Sequence, residues 1–244
     1  MQYEAWENEY RNPLLVTKND APQQDVLRFF KWLKKTKKFR LFEKQVLDLG
    51  CGTGRNSNYV ANLGNNVVGI DISDTALKIA HDRASKIFDQ AITFSANGWT
   101  GNENISYLKQ NIGSSYPFDD KSFDMILDIT SSNSLNEAER ATYLAEMSRV
   151  LKDDGYIFVR ALCKDGDKNA KNLIKISPGH EYDTYIMKDI HLVERVFSET
   201  DLRSLYGQYF DILSLEKKSG YAQFKGQSYK RNYWLAYLKK KPTS

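Results

Sequence analysis

Cysteine is nearly absent. Cys51 and Cys163 are the two in 244 residues. Two thiols so far apart make neither a disulfide framework nor a cysteine-based metal site, so no staple and no metal is expected. The opening residues, MQYEAWENEYRNP, carry charges where a secretory leader needs an apolar stretch. No apolar run nears the roughly 20 residues needed to span a bilayer. These absences lead us to expect a soluble, cytoplasmic protein with no membrane partner. An excess of one charge is missing as well: 35 basic and 31 acidic residues leave +4, spread along the chain. That balance does not by itself argue for nucleic acid. There is no internal repeat and no low-complexity linker. One domain is expected over 45–244, preceded by an extension over 1–44 that packs on or caps the core.

Hydrophobic residues make up 41% of the chain and aromatics 13%, enough to bury a proper core. Asp20 and Pro22 read as a helix start, followed by Val26, Leu27, Phe30 and Leu33 at helical spacing. The other face carries Lys31, Lys34, Lys35, Lys37 and Lys38, which reads as a solvated face or as a patch attracting RNA. From Gln45 onward strands and helices alternate. Strands are expected at 45–49, 66–70, 104–109, 123–129, 155–162, 210–215 and 233–238. Helices are expected at 55–63, ending at Gly64, and at 73–87, 137–150 and 198–206, the last opened by Ser198 and Asp201 at capping-box spacing. The alternation implies an α/β fold, a parallel sheet with helices on both faces. Residues 163–190 break the pattern: long, polar and weakly periodic, they read as a substrate-loop insertion.

Val46–Gly54 reads VLDLGCGTG. Three glycines at alternate positions after an apolar strand are costly in chain entropy unless the backbone turns tightly or something approaches it closely. In a parallel α/β sheet this loop falls beyond the strand carboxyl ends, where ligands bind and the next helix offers free N–H groups. Asp71 ends the second strand and can accept two hydrogen bonds from a ribose diol. Glycine loop, helix, strand and terminal acid together point to a nucleoside-type cofactor. The spacing G-x-G-x-G departs from the dinucleotide fingerprint G-x-G-x-x-G, and the loop is poor in basic groups for a pyrophosphate. Asp48 would repel phosphates and favour an ammonium or sulfonium ligand.

With these residues the chain resembles the class I S-adenosylmethionine-dependent methyltransferases. Ser115–Asp128 (SYPFDDKSFDMILD) and Arg149–Tyr156 (RVLKDDGY) resemble two further segments of that family. The likeness runs from about Gln45 to Leu162 and continues weakly in the last strands. It implies a Rossmann-like, seven-stranded, mostly parallel sheet with the last strand antiparallel, and S-adenosylmethionine as cofactor. Carried over residue by residue, Asp48, Gly50, Cys51, Gly52 and Gly54 would surround the methionine and ribose part. Asp71 would hold the ribose hydroxyls, and Ile72 would pack on adenine. Asn111 and Ile112 would meet the adenine edge, Asn111 standing where many members have an acid. Asp128 would lie beside the methionine end, facing the substrate. Cys51 reads as a small buried residue, since methyl transfer needs no enzyme thiol.

No catalytic residue is identifiable. His180, Tyr182 and Asp128 are candidates for a base, with Asp183, Tyr185 and His191 nearby. The N-terminal Tyr3, Trp6, Tyr10 and Arg11 read equally as a lid over the cofactor or as a cover for the core. Tyr229–Trp234 reads as a charge-protected edge strand or as an anion-binding strip. Asp128 is followed by Ile-Thr-Ser-Ser-Asn rather than a Pro-Pro-aromatic signature, and there is no Pro-Cys pair and no RNA-binding module. A small-molecule acceptor is therefore expected. An RNA methyltransferase and a non-catalytic cofactor-binding regulator stay open as alternatives.

Overall fold

The computed structural model describes residues 2–15, 19–88, 93–95, 98–100 and 104–241. Two helices come first, α1 (Tyr3–Arg11) and α2 (Gln24–Trp32), and α2 runs on into a wide helical turn at Leu33–Lys37. β1 (Gln45–Leu49), α3 (Arg55–Asn62), β2 (Asn66–Asp71) and α4 (Asp74–Phe88) then alternate. A short hairpin, β3 (Thr93–Ser95) and β4 (Gly98–Thr100), leads to β5 (Ile105–Lys109), β6 (Phe123–Ile129), α5 (Glu137–Val150) and β7 (Leu151–Leu162). The last third holds α6 (Lys168–Ile176), β8 (Thr184–Met187), β9 (Leu192–Arg195), α7 (Glu199–Tyr206), β10 (Phe210–Phe224) and β11 (Gln227–Lys240).

Among the described residues, nine strands form one sheet in the order β10-β11-β7-β6-β1-β2-β5-β4-β3. The five strands β7, β6, β1, β2 and β5 are parallel. β11 is antiparallel to β7 and to β10. The expected seven-stranded Rossmann-like sheet is therefore present, and the β3–β4 hairpin extends it beyond β5. Strand periodicity explains the two core layers. On β1, Val46 faces one side while Leu47 and Leu49 face the other; on β7, Phe158 opposes Ile157 and Val159. One layer gathers Tyr143, Met147, Leu202 and Tyr206 from α5 and α7. The other gathers Phe29, Val60, Leu77 and Ala80 from α2, α3 and α4. Cover on both faces is why the parallel strands read as continuous apolar runs.

Several expectations are corrected. α2 starts at Gln24, not at Asp20, and Phe29 rather than Leu27 reaches the core. The fifth strand begins at Leu151, and the last two run far beyond their apolar stretches, to Phe224 and from Gln227. Tyr229–Trp234 is an edge only in its first half: from Tyr233 onward β11 lies between β10 and β7, while Tyr229–Arg231 pair with β10 alone. The 163–190 segment is not an irregular loop. It folds as α6 and β8, and β8 pairs with β9 in a separate two-stranded sheet. Asp167 ties it down by capping α6 at Ala170 N–H (2.8 Å) while accepting from the backbone N–H of Asn232 (2.7 Å) and from Arg231 (3.3 Å). Among the described residues no helix is long and apolar enough to cross a membrane.

Gly54 shows what the third glycine of the loop is for. It caps α3 at φ 73°, and an added Cβ would lie 2.4 Å from the Tyr107 hydroxyl and 2.7 Å from Ala80 Cβ. Gly226, at the β10–β11 turn, has φ 74° but open space around it. Gly54→Ala is expected to cost about 2–4 kcal/mol, adding a clash to the strained dihedral. The melting temperature should fall by roughly 5–15 °C. Gly226→Ala should lose only the dihedral part, about 1 kcal/mol. Equal losses in thermal melts would contradict the packing role given to Gly54.

Candidate active site

A cavity of about 530 Å³ opens beyond the carboxyl ends of the parallel strands, the place where such sheets bind ligands. Asp48, Gly50, Cys51, Gly52, Asp71, Ile72, Asn111 and Ile112 all lie on its wall. Gly54 does not; it sits behind the wall against Tyr107 and Ala80. Asp128 also turns away. It is fully buried, and its carboxylate accepts from Ser131 N–H (2.9 Å), Ser132 N–H (3.3 Å) and the Tyr143 hydroxyl (2.6 Å). It shapes the loop after β6, and Ser131 from that loop reaches the cavity instead.

Asp71 ends β2 and is 5% exposed. One carboxylate oxygen accepts from Gly52 N–H (2.9 Å), the other from Ser73 N–H (2.9 Å). The Ile72 backbone N–H also acts on this carboxylate, and of its roughly four acceptor positions at least one is left for a ligand. Burial pushes Asp71 up to about 6, against the pull of the backbone donors. Asp48 is likewise pushed up to about 6 by burial, although the Ser57 hydroxyl donates to it at 2.5 Å. Burial holds the Cys51 thiol well above its usual range, so it stays neutral. The Asn111 side-chain oxygen accepts from Gly113 N–H (2.8 Å), and its amide nitrogen faces Glu139 (3.3 Å).

The N-terminal helix closes one side. Trp6 and Tyr10 line the cavity, and a Cβ on Gly52 would stand 2.6 Å from the Tyr10 hydroxyl. Glu7 fastens α1 to the start of α4, accepting from the hydroxyls of Ser73 and Thr75 (both 2.6 Å) and from Thr75 N–H (3.2 Å). Arg11 pairs with Glu7 at 2.9 Å. Tyr3 lies outside, its hydroxyl 3.1 Å from Asp74.

The rest of the wall was legible only in part. The strip read as possibly anion-binding supplies Arg231 and Tyr233, whereas Arg55, Arg160 and Glu194, which also line the cavity, were missed. Arg160 stacks on the Tyr233 ring at 3.5 Å and pairs with Asp25 at 3.2 Å. Arg231 donates to the Tyr185 hydroxyl (2.9 Å), which donates to Glu194 (2.5 Å). Burial, then the neighbouring Arg160, lower the pKa of Arg55. For Arg55 the one available signal was a basic residue directly after the glycine loop; Arg160 and Glu194 had none. His180, Tyr182, Asp183, Tyr185 and His191 are all off the wall. His180 and His191 are exposed, Tyr182 is 70% exposed, and Asp183 is held by Lys164 at 2.6 Å. The proposed base candidates therefore do not converge on the cavity. Lys34, Lys35, Lys37 and Lys38 are exposed and do not line it either.

Residues 47–159 match the family model described as "Methyltransferase domain". An uncharacterized methyltransferase of Schizosaccharomyces pombe is 30% identical over 118 residues, 48% of this chain and 71% of that protein. A ubiquinone biosynthesis O-methyltransferase of Glaesserella parasuis is 30% identical over 168 residues, 66% of this chain and 62% of that one. Among solved structures, the 1,6-didemethyltoxoflavin-N1-methyltransferase of Burkholderia thailandensis, crystallised with its substrate and S-adenosylhomocysteine, superposes with a TM-score of 0.69. It is 16% identical, and the match covers 98% of this chain and 87% of that one. Sequence, sheet order and cavity agree: the chain belongs to the class I S-adenosylmethionine-dependent methyltransferases.

Proposed function

We propose that the protein transfers the methyl group of S-adenosylmethionine to a small-molecule acceptor, with residues 45–244 as the catalytic domain and residues 1–44 closing its mouth. One observation carries the reading: Asp71, at the end of β2, shares the cavity wall with the glycine loop while keeping at least one acceptor position free. Asp71 would hold the ribose hydroxyls, Ile72 and Ile112 would sandwich the adenine, and Asp48 would face the ammonium side. The Asn111 oxygen, already bonded to Gly113, has one further acceptor position for the adenine edge. When bound, the cofactor supplies a methyl group activated by a sulfonium. The protein's part is alignment and exclusion of water. Trp6 and Tyr10 would cover the reacting end, and Arg160, Tyr233 and Arg231 would orient the acceptor. Support for a small acceptor comes from the relatives whose names describe such reactions. A cytoplasmic setting belongs to the same proposal and is supported by two buried, unpaired thiols.

The reading is tested by supplying radiolabelled S-adenosylmethionine and a cell extract, then separating small molecules, RNA and protein. Label should enter the small-molecule fraction; label confined to RNA or protein would contradict it. Asp48 and Asp71 titrate at about 6 in the free protein. Their ionised forms bind the cofactor, so affinity for S-adenosylhomocysteine should be flat above pH 7. Below pH 6 it should fall by about tenfold per pH unit for each acid that takes up a proton. Calorimetry giving equal affinity at pH 5 and pH 8 would refute that assignment. Glu7→Ala frees α1 without touching the cofactor. S-adenosylhomocysteine should then bind about tenfold more weakly, roughly 1.4 kcal/mol. The melting temperature should drop less than for Gly54→Ala. Unchanged affinity would show that α1 does not close the site.

A further inference from the structure

The β10–β11 hairpin is longer than the sheet needs. β7 ends its pairing with β11 at Tyr233, yet β11 begins at Gln227. The overhanging tip is clamped from both sides: Lys225 N–H donates to the Leu14 carbonyl (3.1 Å), and Lys225 Nζ pairs with Asp189 (2.6 Å). Beneath it, against α6 and β8, lies a second cavity of about 300 Å³. Leu173, Ile176, Ile186, Met187 and Phe224 make most of its wall apolar, while Lys188, Asp189 and Arg231 put charged side chains on the rest. Ile176 is 61% exposed, so the chamber is not sealed core. Leu15, Ala222 and Arg231 line both cavities. The two spaces thus meet at a shared wall whose smallest side chain is Ala222.

Within the methyltransferase reading, on which this step rests, the cofactor belongs to the half of the main cavity walled by the glycine loop and Asp71. The acceptor is left with the half under Arg160, Tyr233 and Arg231. Leu15 and Ala222, on the wall that the two cavities share, stand between that half and the second chamber. We propose that the acceptor is amphipathic: a polar, anion-bearing head held beside Arg160 and Tyr233, and an unbranched aliphatic tail that passes Ala222 into the second cavity. Guanidinium groups suit a carboxylate head. The apolar part of the chamber, between Leu173, Ile176, Ile186, Met187 and Phe224, suits an aliphatic chain.

Straight-chain carboxylates from butanoate to decanoate test this by calorimetry on the full chain saturated with S-adenosylhomocysteine. Affinity should rise up to about fourfold per added methylene and level off once the chamber is filled. Ala222→Phe should block the passage and abolish the rise, while S-adenosylhomocysteine still binds. Leu173→Asp, which leaves the passage open and puts a charge in the chamber, should weaken only the longer chains. Melting curves identify any variant that fails to fold, and either variant suffices. A flat series or no carboxylate binding in the wild type, with S-adenosylhomocysteine bound, overturns the proposal. So does a rise that survives both folded variants. If S-adenosylhomocysteine itself does not bind, the methyltransferase reading fails first and this inference falls with it.

Discussion

Asp71 joins three parts of the molecule that are distant in sequence. Its carboxylate accepts Gly52 N–H from the glycine loop and Ser73 N–H from the start of α4. The Ser73 hydroxyl passes the connection on to Glu7 in α1, which also takes Thr75 and Arg11. Floor, rim and N-terminal cover of the cavity therefore belong to one hydrogen-bonded network. Bonds to an ionised group contribute about 1.5–3 kcal/mol each, yet burial still lifts this acid to about 6. A buried carboxylate whose local donors do not fully offset its desolvation is ready for further donors, and a ribose diol supplies two. That residual demand is what the proposed role of Asp71 toward the cofactor draws on.

The glycines answer to the same geometry, though in different ways. At Gly52 a side chain would strike the Tyr10 hydroxyl, so the missing Cβ admits the cover as well as a ligand. At Gly54 it would strike Tyr107 and Ala80, so the missing Cβ lets α3 and α4 close on the sheet. One motif serves both binding and packing because the strand-to-helix turn is where the two compete for space.

Much of the fold was legible because its causes are local. β1, β2, β5 and β6 carry apolar residues at strand spacing, whereas the three-residue strands β3 and β4 have no such run and were not expected. α7 opens with Ser198 and Asp201, whose reciprocal capping bonds are both formed. The cofactor half was legible for the same reason: Asp48, the glycine loop and Asp71 lie within one β-α-β unit. The other half was legible only in part. Arg160, Glu194 and Arg231 come from β7, β9 and β11, and no spacing rule connects them. α6 has nine residues, too few to hold a helix alone. Its cap, Asp167, is held by Arg231 and Asn232 across more than sixty residues of chain. Asp128 misled because a strand-end acid in this fold can face the ligand or support the loop behind it. The Tyr143 hydroxyl, from α5, turns it inward.

The central claim is that Asp71 and the glycine loop form the cofactor site. Titration calorimetry with S-adenosylhomocysteine on the wild type and on Asp71→Ala tests it most directly, with melting curves to show that the variant is folded. The account expects clear wild-type binding and a loss of roughly 2–4 kcal/mol in the variant, on the order of a hundredfold in affinity. A folded wild type that does not bind, or a variant that binds equally well, would contradict it.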